Sequence, residues 1–488
     1  MPGDPRRAPL IARLAFGKPG KSGGPGLPLD FTVMAEPYGT DSDRRGHPGG
    51  DQCGAGQCGA GQDGGRLVVR SVPVPDPGDD FLGQIPVPAA VAWVRQFAGL
   101  AGWGEAARVT LPAGADRFTA AEKWLRELAD GAQVEDAVRR SGSGLVAFGT
   151  FTFDDASDGS VLIVPRVVLG RDGTGNAWLT TVTPAGEAAG AAGEGRAGDG
   201  PPWATGPFQP PEPPGDIRWH DGSLSAMEWE QAVGEAVRRI RHSAGLRKVV
   251  LARDLHASAE RPVDPRVLLR RLAARYPGCY TFAVDGLVGA TPELLISRNG
   301  WEVGSLVLAG TTPRGASAAE DSELARGLLG SAKENEEHEY AAASLCDKLA
   351  PLCSAMYIAP RPELIRLPNV QHLGTRVRGT LAAVRSALAL VGAVHPTAAV
   401  GGTPTDAAVE VIRELESMDR ERYAGPVGWV DADGNGEWGI ALRCAQLAGN
   451  RARLFAGCGI VAGSDPAAEL AETESKFRPM RTALEQAD

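Results

Sequence analysis

The chain has 488 residues, of which 43% are hydrophobic and 23% charged, as in globular proteins with a large buried core. Its formal net charge of −10 argues against a broad surface for nucleic acid or anionic lipid, whereas a small anion could bind beside local positive charge or a metal. No apolar run approaches the roughly 18 residues that a membrane span needs, so we expect a cytoplasmic protein without membrane contact.

The first 65 residues predict a disordered tail. They are dense in Gly, Pro, Asp and Arg and cannot bury enough apolar surface to offset the loss of chain entropy. Cys53 and Cys58 in this tract could form a redox or metal pair, but the seven scattered cysteines favour incidental thiols in a reducing compartment. The Arg-rich opening could pass for a transit peptide, and Met34 offers an alternative start.

The pattern of a folded chain begins near Arg66. Residues 67–74 alternate like a strand, whereas 89–100 and 119–128 have helical spacing. Three strands are predicted within 144–153, 160–173 and 176–184, with Asp172 and Gly173 as a hairpin turn. A Gly/Ala-rich and then Pro-rich stretch over 184–216 predicts an internal boundary.

Helices and strands alternate after that boundary. Ser225 and Glu228 form the pattern of a capping box, which predicts a helix running to about His242. A strand pattern, KVVLARDLHA, follows from Lys248, and no internal repeat of 20–50 residues is visible. The predicted class is α/β or α+β, with sheets covered by helices.

Two segments in the second half each carry a pair of glutamates three residues apart. SAKENEEHEYAAASLCDKLA contains Glu334 and Glu337, and DPAAELAETESKFRPMRTAL, opening near Pro466, contains Glu469 and Glu472. Residues three apart share a helix face, so each helix can present two carboxylates in one direction. If the two helix faces meet, their four carboxylates form a cluster whose negative charge needs a hard cation, and Mg²⁺ suits all-oxygen ligands. Otherwise both faces are simply solvated.

Basic residues and glycines surround the second of these helices. Lys476 lies four residues beyond Glu472 and therefore on the same face. Gly457 and Gly459 could bring backbone N–H donors close to an anion, although a strand-to-helix turn explains them equally well. Arg443 stands among small and apolar residues, where a guanidinium usually binds a carboxylate of the protein or of a substrate.

Two further residues could exchange protons. Lys248 begins an apolar strand, where desolvation could release its proton. Burial of Glu293 in GATPELL would raise the pKa of its carboxyl group and let it act as an acid. The alternative is a strand-end lysine at the surface and a structural ion pair.

Together, these segments resemble one family, the chorismate-utilising enzymes, from about Ser223 to the C-terminus. The family includes isochorismate synthase, salicylate synthase, anthranilate synthase component I and aminodeoxychorismate synthase component I. The motifs occur in the family's order: KVVLAR, GATPELL, LAGTTPRG, SAKENEEH, HPTAAVGG, YAGPVGW, GEWGIALRCA, AGCGIV and ELAETESK.

The resemblance implies a fold for the whole chain. That fold is a single large α/β (α+β) chorismate-binding domain, with two antiparallel sheets packed between helices. Residues 1–65 would be a disordered tail, 66–216 the variable N-terminal part and 217–488 the catalytic part. The implied partners are the small molecule chorismate and no glutaminase subunit, in a monomer or homodimer.

The resemblance also implies a role for each candidate residue. Lys248 resembles the general base and Glu293 the general acid. The Mg²⁺ ligands would be Glu337 and Glu472, with Glu334 and Glu469 acting through water or supporting the ligands. Substrate contacts would come from Gly310, Thr311, Tyr423, Arg443, Gly457 and Lys476. His338 and His395 belong to the motifs and are interpreted as structural.

Single positions distinguish the members of the family. Aminodeoxychorismate synthase carries a nucleophilic lysine where this chain has Ala309, and anthranilate synthases generally lack a lysine at the position of Lys248. These differences leave the family members that add water to chorismate, isochorismate synthase and salicylate synthase. Ala399, where salicylate synthases tend to carry threonine, and Phe455 favour isochorismate as the released product.

Overall fold

The computed structural model describes residues 66–186, 208–243 and 245–485. The predicted tail, including Cys53, Cys58 and Met34, therefore lies outside the described residues, as does most of the predicted boundary at 184–216. Of the described helices, none combines the length and the apolar character needed to cross a bilayer.

The described chain forms twenty-three strands, numbered in chain order. They are β1 (Leu67–Val74), β2 (Ala90–Arg95), β3 (Ala98–Trp103), β4 (Ala107–Leu111), β5 (Gln133–Asp136), β6 (Val146–Thr150), β7 (Ser160–Val164), β8 (Val167–Arg171), β9 (Ala177–Pro184), β10 (Ile217–Asp221), β11 (Lys248–Ala259), β12 (Tyr280–Val284), β13 (Leu287–Thr291), β14 (Leu294–Asn299), β15 (Glu302–Pro313), β16 (Cys353–Ile358), β17 (Glu363–Arg366), β18 (Val370–Leu381), β19 (Gly402–Thr403), β20 (Pro426–Asp431), β21 (Gly436–Ile440), β22 (Cys444–Ala448) and β23 (Arg451–Ile460).

Eight α-helices lie between these strands within the described ranges. They are α1 (Arg117–Gly131), α2 (Ala226–His242), α3 (Pro265–Arg275), α4 (Ala318–Gly330), α5 (Ala332–Leu349), α6 (Ala387–Val394), α7 (Thr405–Leu415) and α8 (Pro466–Glu485). Two short 3₁₀ turns, Gly78–Gln84 and Ala350–Leu352, complete the regular structure of this part of the chain.

The strands form two sheets. The larger has thirteen strands in the order β10-β11-β23-β22-β13-β12-β2-β3-β8-β9-β1-β5, with β19 paired to β11. The smaller has ten, in the order β16-β18-β15-β14-β21-β20-β6-β7-β4, with β17 paired to β18. Within the described residues β1 and β5 are parallel and every other pair is antiparallel, so the expected pair of antiparallel sheets is confirmed.

Two hydrophobic clusters hold the layers together. One joins the sheets, because it contains Trp93 and Phe282 of the larger sheet together with Phe148 and Trp438 of the smaller. The other joins the larger sheet to α3 and α8, whose Phe477 is almost fully buried. Helices α1, α5 and α6 pack on strands of the smaller sheet. Helices therefore cover both sheets, as the sequence predicts.

Several predicted elements are confirmed with their boundaries. The capping box at Ser225 is present, and α2 ends at His242. The Asp172 turn joins β8 to β9, and its carboxylate accepts hydrogen bonds from the amides of Thr174 and Asn176. Pro466 is the first residue of α8. Local sequence signals were therefore reliable where a cap, a turn residue or a proline fixes the backbone.

The helix predicted over residues 89–100 is wrong. This segment forms β2 and β3, a hairpin in which Arg95 pairs with Ala98. The two turn residues, Gln96 and Phe97, have positive φ angles of 52° and 60°. Such turns normally use Asn, Asp or Gly, so no turn residue marked the hairpin. The apolar spacing on either side then resembled that of a helix.

Candidate active site

The candidate site is a cavity beside β11, β15 and β23, lined by charged, polar and apolar residues. Eight of the twelve predicted site residues line it: Glu293, Gly310, Thr311, Glu337, Tyr423, Arg443, Gly457 and Lys476. The other four, Lys248, Glu334, Glu469 and Glu472, contact this wall or the residues behind it.

Glu293 stands between β13 and β14 and is only 4% exposed. Burial raises the pKa of its carboxyl group to about 8, although the positive charges of Lys248 and Arg443 act in the opposite direction. The carboxyl group is therefore mostly protonated at neutral pH and can donate a proton.

Lys248 begins β11 and is fully buried. Its Nζ lies 3.2 Å from Oε1 of Glu337, which comes from α5. Gly459 of β23 passes directly over this pair: a Cβ at that position would lie 2.1 Å from the Glu337 oxygen and 2.8 Å from Cε of Lys248. The absence of a side chain at Gly459 is thus a condition for the lysine–glutamate contact.

Arg443 precedes β22 with a backbone φ of 51°, a left-handed conformation that is rare outside glycine and often marks functional sites. Its guanidinium is nearly buried, and within the described chain it forms no ion pair with a carboxylate. Its one described hydrogen bond joins Nη2 to Nε2 of His372, at 3.5 Å. A buried guanidinium without a protein carboxylate fits an anionic ligand.

His372, on β18, connects Arg443 to Thr311 and was not predicted from the sequence. A guanidinium only donates hydrogen bonds, so Nε2 of His372 must accept, and the ring proton lies on Nδ1, 3.1 Å from the Thr311 hydroxyl oxygen. Burial, reinforced by the Arg443 charge, lowers the pKa of His372 well below its usual value. The imidazole is therefore neutral.

The opposite wall of the cavity is formed by β23 and α8. Ala252 faces Gly457 across the ladder; its amide donates a hydrogen bond to Glu416, and its carbonyl accepts one from the Trp229 indole. Gly457 therefore turns its own backbone groups away from β11. The Gly457 carbonyl accepts a hydrogen bond of 2.8 Å from Lys476. Because β22 does not extend this far, the Gly457 amide is free of the ladder on the cavity side.

Tyr423 forms another part of the wall. Its ring stacks on Phe455 with centroids 5.1 Å apart, and burial raises the pKa of its hydroxyl to about 12. The phenol therefore stays protonated and can donate a hydrogen bond. Ala399 also lines the cavity, so the position that was predicted to influence the product does face the ligand space.

The carboxylate cluster consists of Glu334 and Glu337 on α5 and Glu469 and Glu472 on α8. Lys333 bridges the two helices, with Nζ 2.7 Å from Glu469 and 3.5 Å from Glu334. Glu334 also accepts a 3.0 Å hydrogen bond from the amide of Thr311. The two predicted helix faces therefore do approach each other, and the interpretation as solvated faces is wrong.

Charge repulsion is visible within the carboxylate cluster. Burial and neighbouring carboxylates raise the pKa of Glu334 and of Glu469. Burial acts to raise the pKa of Glu472, but the combined attraction of Lys476, Lys333 and Arg443 outweighs it, and the pKa is lowered. The four carboxylates are oxygen donors whose negative charge is only partly offset by neighbouring cations, and this combination fits the chemistry of Mg²⁺. As they stand, no three His, Cys, Asp or Glu side chains in the described ranges converge on one metal position.

The two motif histidines are held by the protein itself. His338 contacts the Thr375 hydroxyl at 2.7 Å, and His395 lies 3.0 Å from the carbonyl of Phe153. Burial lowers the pKa of His338 to about 4 and that of His395 to about 3, so both rings are neutral. These contacts agree with the structural interpretation.

Arg420 is a second residue that sequence reasoning missed. It lines the cavity, forms a buried ion pair with Glu416, and donates hydrogen bonds to the carbonyls of Val250 and Val400 at 2.7 and 2.8 Å. It thereby fastens β11 to the segment that carries Ala399. Glu416 and Arg420 both lie beyond the end of α7, so helical spacing could not have marked the pair.

Comparison with known proteins agrees with this geometry. The family model described as "Chorismate binding enzyme" matches residues 93–485. The chain is 41% identical to isochorismate synthase DhbC of Bacillus subtilis over 269 residues, which cover 53% of this chain and 67% of DhbC. It is 38% identical to the MenF chain of Mycobacterium tuberculosis H37Rv over 363 residues, covering 71% of this chain and 88% of that one.

A solved structure has the same fold. MenF, the menaquinone-specific isochorismate synthase of Escherichia coli, superposes with a TM-score of 0.68 at 25% identity, covering 86% of this chain and 95% of MenF. The match of the family model includes strands of both sheets and all the residues that line the cavity. With its two-sheet fold and a cavity that carries Glu293, Arg443 and Lys476, this chain is an enzyme that belongs to the chorismate-binding family.

Proposed function

We propose that this protein is an isochorismate synthase that isomerises chorismate with the help of Mg²⁺. The observation that carries the proposal is Arg443, a buried guanidinium that faces the cavity without a carboxylate partner in the described chain. A carboxylate of the substrate would supply that partner. The similarity to DhbC, which is named an isochorismate synthase, supports the same reaction.

The substrate would be held through its enolpyruvyl carboxylate and its ring. Arg443 and the protonated hydroxyl of Tyr423 would bind the enolpyruvyl carboxylate, helped by Lys476 and the amide of Gly457. The hydroxyl of Thr311, oriented by His372, would contact the ring beside Gly310. Binding a dianion in this way uses charge-assisted hydrogen bonds, which are about twice as strong as neutral ones.

Two proton transfers would accompany the exchange of hydroxyl groups. Lys248 would take a proton from water as the new oxygen–C2 bond forms. The ring double bonds shift, the C4–oxygen bond breaks, and Glu293 gives its proton to the departing hydroxyl, which leaves as water. The raised pKa of Glu293, about 8, keeps this proton available at neutral pH. Return of the proton from Lys248 to Glu293 through solvent completes the cycle without oxidation or reduction.

Glu337 and Glu472 would hold Mg²⁺, and Glu334 and Glu469 would accept hydrogen bonds from its waters. Mg²⁺ would supply positive charge that offsets the ring carboxylate and the carboxylate cluster. Ala399 lines the cavity, and a small apolar side chain at this position would favour release of isochorismate before pyruvate is lost.

Product identification tests the reaction directly. Purified protein incubated with chorismate and Mg²⁺ should convert it to isochorismate, resolved by chromatography. Stoichiometric release of pyruvate together with salicylate fluorescence would instead assign the salicylate synthase reaction.

The metal site is tested by Glu337→Gln and Glu472→Gln. Each change removes a charged ligand, so most activity should be lost while the circular dichroism spectrum stays unchanged. Glu339→Gln, an exposed position on the same helix as Glu337, is the matched control and should keep full activity. Undiminished turnover in EDTA would contradict a metal requirement.

The base is tested by Lys248→Ala, with folding checked by thermal unfolding. A general base contributes on the order of 10²–10⁴ in rate, so the variant should retain well below a tenth of the wild-type kcat. Retention of more than about a tenth would exclude Lys248 as the base.

A further inference from the structure

Three lysine side chains lie beside the four carboxylates of the carboxylate cluster. Lys248 pairs with Glu337, Lys476 lies 2.5 Å from Glu472, and Lys333 lies between Glu469 and Glu334. With all three lysines protonated the cluster carries a formal charge of −1, and with Lys248 neutral, as a general base must be, it carries −2. In the described chain, lysines therefore already neutralise part of the carboxylate charge that would attract a divalent cation.

Of these three lysines, Lys333 has the side chain with the greatest access to solvent. The side chain of Lys248 is 0% exposed and that of Lys476 is 10% exposed, whereas Lys333 is 31% exposed. Lys476 is further fixed by its hydrogen bond to the Gly457 carbonyl. Lys333 is the second residue of α5, at the solvent end of the helix, and its described contacts are the two carboxylates.

We propose that Lys333 is a built-in counter-ion of the carboxylate cluster, which Mg²⁺ displaces into solvent when it binds. This inference rests on the proposed Mg²⁺ site. The ammonium and the metal compete for the same negative charge and repel each other at short range. Once Lys333 has left, oxygen atoms of Glu334 and Glu469 become available to the waters of the metal.

The carboxylates of Glu334 and Glu469 have surroundings that hold them in place when Lys333 leaves. Glu334 is also bound by the amide of Thr311, and Glu469 is 1% exposed, at the start of α8. Without any cation, the buried Glu469 charge would be costly. Lys333 therefore keeps the metal-free protein folded with its carboxylates arranged for Mg²⁺, at the expense of metal affinity.

Calorimetric titration with MgCl₂ tests this competition. Lys333→Met removes the ammonium and keeps the chain length, so the Kd for Mg²⁺ should fall about fivefold, as expected for the loss of one partly exposed ion pair. Lys333→Arg keeps the charge and should not tighten binding. Lys123→Met, on the exposed face of α1, removes one charge elsewhere and should leave the Kd unchanged.

A second readout follows the lysine itself. With Mg²⁺ at saturation, acetylation of Lys333 in the wild-type protein should become faster, as measured by peptide mass spectrometry, while Lys123 serves as an internal reference. Slower or unchanged acetylation, or weaker Mg²⁺ binding by Lys333→Met, would overturn the role of Lys333 alone. If neither protein binds Mg²⁺, the proposed metal site fails and this inference fails with it.

Discussion

At Glu293 the fold keeps a carboxyl group protonated that would be ionised in water. Burial raises its pKa from the ordinary 4.5 to about 8, and the charged groups that oppose this are Lys248, Arg443 and Lys476. An acid catalyst acts only while it holds its proton. We therefore expect kcat/KM to fall as the pH rises through about 8, by roughly tenfold per pH unit above it.

Glu293→Gln provides the control for this pH profile. The amide fills the same space without an ionisable proton, so activity should drop by about 10²–10⁴ and the inflection near pH 8 should disappear. Persistence of the inflection in the variant would assign it to another group.

The same carboxyl group gives stability a pH dependence. Because its folded pKa lies above the unfolded value, the folded state binds the extra proton. This contribution is complete below about pH 4.5 and is lost as the pH rises to about 8. Glu293→Gln should therefore gain stability relative to the wild type as the pH increases over this range, measured by urea unfolding at several pH values.

His372 should control substrate binding more than chemistry. It orients Arg443 and Thr311 without a role in proton transfer, since its imidazole is neutral and both ring nitrogens are engaged. We expect His372→Ala to raise KM for chorismate about tenfold, the value of one charge-assisted hydrogen bond, with a smaller change in kcat.

An exposed histidine, His220→Ala, should leave both parameters unchanged. A loss confined to kcat in His372→Ala would instead place this ring in the chemical step.

Contacts between site residues could be predicted from the sequence only where the residues are close together in the chain. Glu334 and Glu337, or Glu472 and Lys476, are related by helical spacing, and the sequence therefore placed them correctly on common faces. His372 and Arg443 are 71 residues apart and meet only because β15, β18 and the loop before β22 converge. No local pattern could reveal that contact.

Among the elements, β23 brings its backbone directly against catalytic side chains. A Cβ at Gly459 would overlap the Glu337 carboxylate and crowd Lys248. Gly459→Ala should therefore reduce activity by at least about a hundredfold, since misplacing a catalytic group by about 1 Å costs that much. The protein should still fold, because both side chains can move into the cavity.

Gly463→Ala is a matched control for this element. It lies three residues beyond the end of β23, and a Cβ there meets no atom within 4 Å. Its activity and melting temperature should match the wild type. Wild-type turnover in Gly459→Ala would mean that Glu337 and Lys248 do not need their described contact.

Elements were predicted well where the backbone is marked by a specific residue. Ser225 opened α2 and Pro466 opened α8 as expected, because a side-chain cap and a fixed φ act locally. The hairpin of β2 and β3 was missed because Gln96 and Phe97 adopt positive φ angles that their residue types rarely take. Strand pairing with β12 and β8 stabilises that hairpin, and this support is invisible in a short window of sequence.

For the whole molecule, strands from residues 66–186 and from 217–460 share both sheets. Removal of residues 1–65, in contrast, should leave kcat and melting temperature nearly unchanged, because their composition lacks a core-forming pattern. Thermal unfolding and turnover of a chain that starts at Arg66 check this expectation. An insoluble or inactive product would show that the tail takes part in folding.

The order of strands in the larger sheet also has a consequence for synthesis on the ribosome. Strands β22 and β23 lie in its interior, between β13 and β11, yet they are the last strands to be translated. Until they emerge, β11 and β13 each present an unpaired edge that can pair with another chain. The nascent protein therefore passes the whole interval between the synthesis of β13 and that of β22 with this seam of the sheet open. A message that stopped before Cys444 would leave an aggregation-prone fragment rather than a smaller enzyme.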